Sequence, residues 1–373
     1  MPKKKYFIYT WGCQMNVADS ERIAGDYESR GYVSAQTPEE ADEIIFTTCS
    51  VRKSAEDRVR GLIYNIARQY KNAPKQPKLI LTGCMLHYGE QKLKKMLPII
   101  DEFLPITEVG FNTPSIRNSK THAFIPISSG CNSFCTYCIV PLARGREKSR
   151  PKEEIIDEIK ELANQGYDEV TLLGQNVNSY GLEKIGMNIR KCLDENRKIP
   201  APQTQYKPFQ GKPPFVELLD EVCEISQIKK IHFMSSNPWD FYEELIDCIA
   251  CNAKIDRQIH LPLQSGDDEI LKRMNRGYTR KQYLELVKRI KAKIPEVVFT
   301  TDVIVGFPGE TKEQFEQTVD VCKKVGFKTV FIGRYSPRPG TASAKLFKDD
   351  VPDVEKKRRW QVLEDLVNRP NLK

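Results

Sequence analysis

The chain has 373 residues, 58 Lys and Arg against 50 Asp and Glu, a net charge of +8, 40% hydrophobic and 29% charged residues. This suits a globular protein of about two domains with a sizeable core, and no apolar run approaches the ~20 residues of a membrane span or follows the basic start as a secretory signal would. Eleven cysteines without an export signal argue against a disulfide framework and for reduced thiols in a cytoplasmic protein, available to metal.

Three apolar β-type runs open the chain, and each leads to a cysteine. Tyr6–Thr10 precedes Cys13, Ile44–Thr48 precedes Cys49, and Leu79–Gly83 precedes Cys84. Helical patterns lie between them at Ser20–Ser29 and Ser54–Tyr70. Strand–helix–strand at this spacing predicts βαβ units in a parallel sheet. Open parallel sheets bind ligands at the carboxyl ends of their strands. Cys13, Cys49 and Cys84 are therefore expected at one edge, as a three-thiolate site made by topology. The polar stretch Phe111–His122 reads as a domain boundary.

Cys131, Cys135 and Cys138 follow in a C-x3-C-x2-C array inside Gly130–Pro141. A structural zinc site takes four protein ligands, and an electron-transfer [4Fe–4S] cluster takes four cysteines. Three thiolates on such a cluster leave one iron open for chemistry. Phe134 and Tyr137 lie between the cysteines, with covering a ligand and ordinary packing weighted equally.

From there strands and helices alternate. Strands are expected at Ala123–Ile127, Glu169–Leu173, Lys230–Ser235, Gln258–Leu263, Val297–Val305 and Thr329–Tyr335. Helices are expected at Lys152–Gln165, Phe215–Ser226, Asp240–Cys251, Arg280–Lys293 and Thr311–Val325. Six such units predict an α/β fold with an open, partial (β/α)6 barrel, and the cysteine loop follows its first strand. Later strands end in Gly174-Gln175-Asn176, Ser235-Ser236-Asn237, Pro262-Leu263-Gln264-Ser265-Gly266, Gly306 to Glu310 and Tyr335 to Gly340. Together these form a rim suited to hydrogen-bonding an amino acid or a ribose. The 181–214 insertion is read as an inert excursion. Cys192, Cys223, Cys248, Cys251 and Cys322 are read as packing, and His87, His122, His232 and His260 as isolated.

Basic residues gather at Arg52–Lys71, Arg144–Lys152 and Lys272–Lys281. A helix-like tail, Pro352–Asn368, carries Lys356-Lys-Arg-Arg359.

These motifs resemble the radical S-adenosylmethionine methylthiotransferases, and within them the MiaB-type tRNA branch. The resemblance rests on Gly12-Cys-Gln-Met-Asn16, Thr48-Cys-Ser-Val-Arg52, Gly83-Cys84, Cys131–Pro141 with Arg144–Arg150, and Leu173–Val177. It extends to His260–Gly266, Ile304–Thr311 and Arg338-Pro-Gly-Thr341. It implies a methylthiotransferase domain at 1–116, a radical core at 117–346 and a helical tail at 347–373. Relatives usually continue into a TRAM β-barrel that grips tRNA, and none is expected here.

The implied cofactors are two [4Fe–4S] clusters and S-adenosylmethionine. Cys131, Cys135 and Cys138 would hold the cluster that binds S-adenosylmethionine. Cys13, Cys49 and Cys84 would hold an auxiliary cluster where a second S-adenosylmethionine methylates sulfur. Tyr137, Arg150, Gln175, Asn176, Ser235, Gln264, Ser265, Gly306 and Glu310 are the candidate cofactor contacts. The implied reaction places methylthio on C2 of isopentenyladenosine at position 37 of tRNA, with the basic clusters holding the anticodon arm. Implied partners are a low-potential donor such as flavodoxin or ferredoxin, and a sulfur source or iron–sulfur assembly protein. The alternatives are the same chemistry on threonylcarbamoyladenosine tRNA or a ribosomal protein, and a non-catalytic iron–sulfur protein that binds RNA or a partner.

Overall fold

The structure is a computed structural model describing residues 3–51, 53–72, 75–111, 113–182 and 211–372. Cys192 and most of the 181–214 insertion lie outside the described residues. The chain forms two compact units, Met1–Pro126 with Ile139–Gly145, and Ile127–Cys138 with Arg146–Lys373.

In the first unit β1 (Lys5–Thr10), α1 (Gln14–Ser29), β2 (Val33–Ser34) and β3 (Glu43–Thr48) are followed by α2 (Lys53–Tyr70) and β4 (Lys78–Gly83). α3 (Glu90–Met96), β5 (Glu102–Leu104), α4 (Ile106–Val109) and β6 (His122–Pro126) come next, and α5 (Val140–Ala143) completes it. The five-stranded sheet runs β2-β1-β3-β4-β5, parallel throughout.

β3 is buried along its whole length, as a central strand covered on both faces must be. Ile44 and Phe46 pack with Val59, Ile63 and Ile66 of α2, while Ile45 packs with Ile23 and Tyr27 of α1. Alternation along one strand thus builds both cores. The expected boundary stretch is tied down: Ile116 N–H donates to the Glu21 carbonyl, and Arg117 pairs with the Glu21 carboxylate at 3.0 Å.

The second unit opens with β7 (Ser128–Ser129), which pairs antiparallel with β8 (Lys148–Ser149). α6 (Lys152–Asn164), β9 (Glu169–Leu173), α7 (Pro214–Glu224), β10 (Lys230–Phe233), α8 (Glu243–Cys251) and β11 (Gln258–His260) follow. Next come α9 (Asp268–Arg273), α10 (Arg280–Lys293), β12 (Val298–Val305), α11 (Lys312–Val325), β13 (Thr329–Arg334), α12 (Ala342–Leu346) and α13 (Asp353–Leu363). A π-helical turn at Glu364–Asn368 and α14 (Arg369–Asn371) end it.

β9 pairs parallel with β10, and β11, β12 and β13 pair parallel in that order. Ile231 N–H donates to the Lys254 carbonyl and Asp256 N–H to the Ile231 carbonyl, so the approach to β11 continues the array from β10. This is the expected open (β/α) arrangement. Two capping boxes, Thr279 with Gln282 and Thr311 with Gln314, start α10 and α11. β11 is shorter than expected because the chain passes into Pro262, which has no N–H for a ladder.

Among the described residues no helix is long and apolar enough to cross a membrane.

Candidate cluster and cofactor sites

In the first unit Cys13 is the residue before α1, Cys49 follows β3, and Cys84 follows β4. β1, β3 and β4 are adjacent parallel strands, with Thr10 opposite Thr47 and Thr48 opposite Gly83. Their carboxyl ends therefore carry the three thiols to one edge, as the strand spacing predicted. Cys49 and Cys84 are buried and Cys13 is exposed.

Burial pushes the Cys49 thiol up to about 11, and Cys84 and Cys13 beside it push the same way. Burial likewise raises Cys84, against which the Arg144 cation acts. Buried thiols of this kind bind as thiolates when a metal centre supplies the missing positive charge.

Gly83 makes the approach to Cys84 possible. It has φ +88°, and a Cβ there would meet the Thr48 carbonyl oxygen at 2.5 Å. Gly83→Ala is expected to cost about 1–3 kcal/mol through strain at this φ, more with the backbone clash, and to lower iron bound at this site. Thermal melting and iron content after reconstitution check it.

Arg144 also belongs to this unit. Its guanidinium donates to Asn16 Oδ1 at 2.8 Å and pairs with Asp19 at 2.7 Å, and Asp19 also pairs with Arg22. Burial opposes the cation, yet Asp19 and Cys84 hold its pKa above the ordinary arginine value. The sequence reading placed Arg144 in a surface basic cluster; the structure buries it beside the Cys13, Cys49 and Cys84 thiols.

In the second unit Cys131 is buried and Cys135 and Cys138 are half-buried. Burial pushes Cys131 up to about 12, while the Ser133 hydroxyl beside it acts the other way. The turn after α9 laces the loop in place. Thr136 N–H donates to the Met274 carbonyl at 3.0 Å, the Thr136 hydroxyl to the Arg273 carbonyl at 2.8 Å, and Asn275 Nδ2 to the Phe134 carbonyl at 3.1 Å. Tyr137 packs against the cluster of Ile270, Met274, Phe307 and Tyr335.

Among the described residues, the non-glycine residues of positive φ are Phe134, Ser235, Gln264 and Asn275. Such conformations cost of order 1–3 kcal/mol each and collect at functional sites. Ser235 and Gln264 are two of the expected rim residues. Buried polar atoms without a partner lie on the same rim: Ser128 Oγ, Asn176 Oδ1 and Ser236 Oγ. Unmet buried acceptors and donors call for a ligand or water, and these suit the amino, carboxylate and hydroxyl groups of an amino-acid nucleoside.

The other expected contacts divide. Gln175 is half-buried at the end of β9. Ser265 Oγ accepts from Asp267 N–H at 3.3 Å. Arg150 is buried and pairs with Glu158. Glu310 pairs with Arg359 at 2.6 Å and accepts from Gly306 N–H at 2.6 Å, while the space beside Gly306 is filled by Lys356. Sequence reasoning passed over Ser128, Ser236 and Arg276. Ser236 sat in a quoted motif, whereas Arg276 looked like one charge of a surface cluster.

None of the ten described cysteines forms a disulfide. Among the described residues no three His, Cys, Asp or Glu side chains gather closely enough to hold a single ion. In a four-iron cluster each thiolate binds its own iron, so its sulfurs stand further apart than the ligands of one ion, and a set of three thiols is a donor set that leaves the fourth iron open. Cys248 is buried with its sulfur 3.4 Å from Asp220, and Cys251 is exposed.

Residues 125–322 match the family model described as the radical SAM superfamily, and residues 5–105 match one described as an uncharacterized protein family, UPF0004. The curated tRNA-2-methylthio-N(6)-dimethylallyladenosine synthase of Thermotoga petrophila is 41% identical over 99% of this chain and 83% of its own. That of Carboxydothermus hydrogenoformans is 42% identical over 100% and 85%.

Among solved structures, the radical S-adenosylmethionine methyltransferase TsrM from Kitasatospora setae aligns with TM-score 0.56 at 14% identity, covering 92% of this chain and 75% of that one. The cobalamin-dependent radical enzyme OxsB aligns with TM-score 0.55 at 11% identity, covering 98% and 61%. These two share the fold.

The protein is thus a radical S-adenosylmethionine enzyme, a class whose members use S-adenosylmethionine and a [4Fe–4S] cluster. Within that class the chain belongs to the family of tRNA-2-methylthio-N(6)-dimethylallyladenosine synthases, the methylthiotransferases that the sequence motifs resemble.

Proposed function

We propose that this protein transfers a methylthio group to C2 of N6-isopentenyladenosine at position 37 of tRNA, in the cytoplasm. The observation that carries the reading is the pair of separate three-thiol sets. Cys131, Cys135 and Cys138 stand beside unpartnered rim groups, and Cys13, Cys49 and Cys84 stand at the edge of a parallel sheet. When bound, the [4Fe–4S] cluster of the first set supplies the electron that cleaves S-adenosylmethionine, and that of the second supplies sulfur for methylation by a second S-adenosylmethionine.

The protein's own work is placement. Ser128, Asn176 and Ser236 orient the amino-acid and ribose ends of S-adenosylmethionine. Ser235 and Gln264 hold the rim in its strained form, and Tyr137 closes the loop against the core. The thiols of the first unit are fixed by adjacent strand ends. We assign residues 1–116 to sulfur delivery, 117–346 to radical generation and 347–373 to a tail that braces the second unit. The exposed basic residues of α2, among them Lys53, Arg58 and Arg68, suit the phosphates of an anticodon arm. A low-potential flavodoxin or ferredoxin would deliver the electron, and an iron–sulfur assembly protein or other sulfur donor would renew the sulfur.

The reading is tested with reconstituted protein, S-adenosylmethionine, a reductant and tRNA from a strain that lacks the modification. Appearance of methylthio-isopentenyladenosine by nucleoside mass spectrometry is the expected result. Production of 5′-deoxyadenosine with no change in that tRNA, but modification of threonylcarbamoyladenosine tRNA or a ribosomal protein, would move the substrate. Absence of 5′-deoxyadenosine would overturn the enzyme reading itself.

A further inference from the structure

Each three-thiol set has one arginine pressed against it, and the two arginines are provided for differently. Arg144, beside Cys84, has the Asp19 carboxylate at 2.7 Å and Asn16 at 2.8 Å. Arg276, in the second unit, is 8% exposed. Its guanidinium donates to the Cys135 sulfur at 3.3 Å, to the Pro262 carbonyl at 3.3 Å and to the Tyr278 hydroxyl at 3.2 Å. The guanidinium carbon stands 4.6 Å from the Trp239 ring centre and 5.2 Å from that of Tyr278, and the two rings stack at 6.0 Å. A carbonyl, a phenol and two aromatic faces solvate a cation, but none carries a full negative charge. The buried Asp240 carboxylate is within electrostatic reach of Arg276, but it accepts its hydrogen bond from Asn176 Nδ2 at 2.8 Å and burial pushes its pKa up to about 6. A buried cation with no anion at hydrogen-bond distance is costly.

The anion at hydrogen-bond distance is the Cys135 sulfur, once it is a metal-bound thiolate. We propose that Arg276 is the built-in counter-charge of the radical cluster: it raises that cluster's reduction potential and favours its assembly, through the hydrogen bond to Cys135. Hydrogen bonds and charge at the sulfurs are among the levers that set the potentials of iron–sulfur clusters. The added electron makes the cluster more negative, so a fixed cation beside one sulfur stabilises the reduced form more than the oxidised one. Arg144 exerts less of this effect on its own thiols because Asp19 neutralises it. The rigid frame keeps the cation in place: Tyr278 donates to the Leu263 carbonyl at 2.6 Å, and the turn carrying Arg276 is bonded to the loop through Met274 and Asn275. Arg276 acts through Cys135 and is a positioning and tuning residue.

The inference rests on the reading that Cys131, Cys135 and Cys138 hold a [4Fe–4S] cluster. The test uses full-length protein with Cys13, Cys49 and Cys84 all replaced by alanine, so that one cluster remains, and follows its reduction by EPR at a series of poised potentials. Arg276→Met is expected to lower the ratio of reduced to oxidised cluster about tenfold at a fixed potential, equivalent to ~59 mV for one electron. Arg276→Lys, which keeps the charge but loses the planar fork, should stay within about threefold of the parent. Tyr278→Phe, which loosens the arginine without removing it, should lie between. An unchanged potential in Arg276→Met, or equal shifts in the Met and Lys variants, overturns the tuning role. Failure of the parent protein to bind iron overturns the cluster reading instead.

Discussion

Replacing Cys49 with alanine is expected to give a protein that still cleaves S-adenosylmethionine but transfers no methylthio group. Cys49 is a buried member of the first unit's set, at its middle strand, between the strand ends that carry Cys13 and Cys84. Two thiols cannot hold a four-iron cluster that already lacks its fourth protein ligand. Iron and sulfide after reconstitution should therefore fall to about half, as one of two clusters is lost. The loop of Cys131, Cys135 and Cys138 belongs to the other unit and is untouched, so 5′-deoxyadenosine should still appear under reducing conditions. Cys138→Ala should show the opposite split, with iron retained by the first unit and no 5′-deoxyadenosine. If Cys49→Ala kept full iron and full methylthiolation, the second set would have no part in the chemistry. Serine in place of alanine gives a closer match in size and checks that the loss is not one of folding.

The convergence of Cys13, Cys49 and Cys84 was legible because a parallel sheet leaves little freedom. Strands separated by one crossover helix lie side by side and end at the same edge, so three cysteines at equivalent places in three βα units had to meet. The start of α1 was not legible. Its first turns bury Asn16, Asp19, Ser20 and Arg22, a polar face used to hold Arg144, and apolar periodicity finds no signal in a buried polar face.

Charge runs misled for a related reason. Lys and Arg are usually exposed, so Arg144 and Arg276 were read as charges of basic surface clusters, and each is buried against an acid, a sulfur or an aromatic ring. A local sequence window cannot show a partner that lies more than a hundred residues away, as Cys135 does from Arg276. The rim was recognised as a set of strand ends, but the division of labour within it depends on which polar atoms find protein partners. That left Ser128, Asn176 and Ser236 unmet while Glu310 was satisfied.

The tail shows the same effect in the Lys356-Lys-Arg-Arg359 run, and it leads to a large effect on stability. Helical spacing puts Lys356 and Arg359 on one face of α13 and leaves Lys357 and Arg358 outside. Lys356 is buried, donating to the Tyr335 carbonyl at 3.1 Å and pairing with Asp349 at 2.6 Å. Arg359 pairs with Glu310 at 2.6 Å and with Glu355 at 2.9 Å.

Arg359→Met should destabilise the protein by about 3–5 kcal/mol, because it leaves Glu310 as a buried carboxylate without its cation. Burial already raises the Glu310 pKa, opposed by the Gly306 N–H and by Arg359. Removing the arginine removes part of that opposition, so the pKa rises further in the folded variant. A raised folded-state carboxyl pKa means that the folded protein binds the proton more tightly than the unfolded chain. Stability of the variant is then greatest at low pH and falls as pH rises through the folded pKa. The deficit relative to the parent should accordingly narrow on acidification, read from denaturant melts across pH 5 to 8. Adding Glu310→Gln removes the stranded charge and keeps an acceptor for Gly306, so the double variant should be more stable than Arg359→Met alone and lose the pH dependence. A deficit that stayed constant with pH and was unrelieved by Glu310→Gln would assign the loss to packing of α13 against β12 and β13 rather than to the charge.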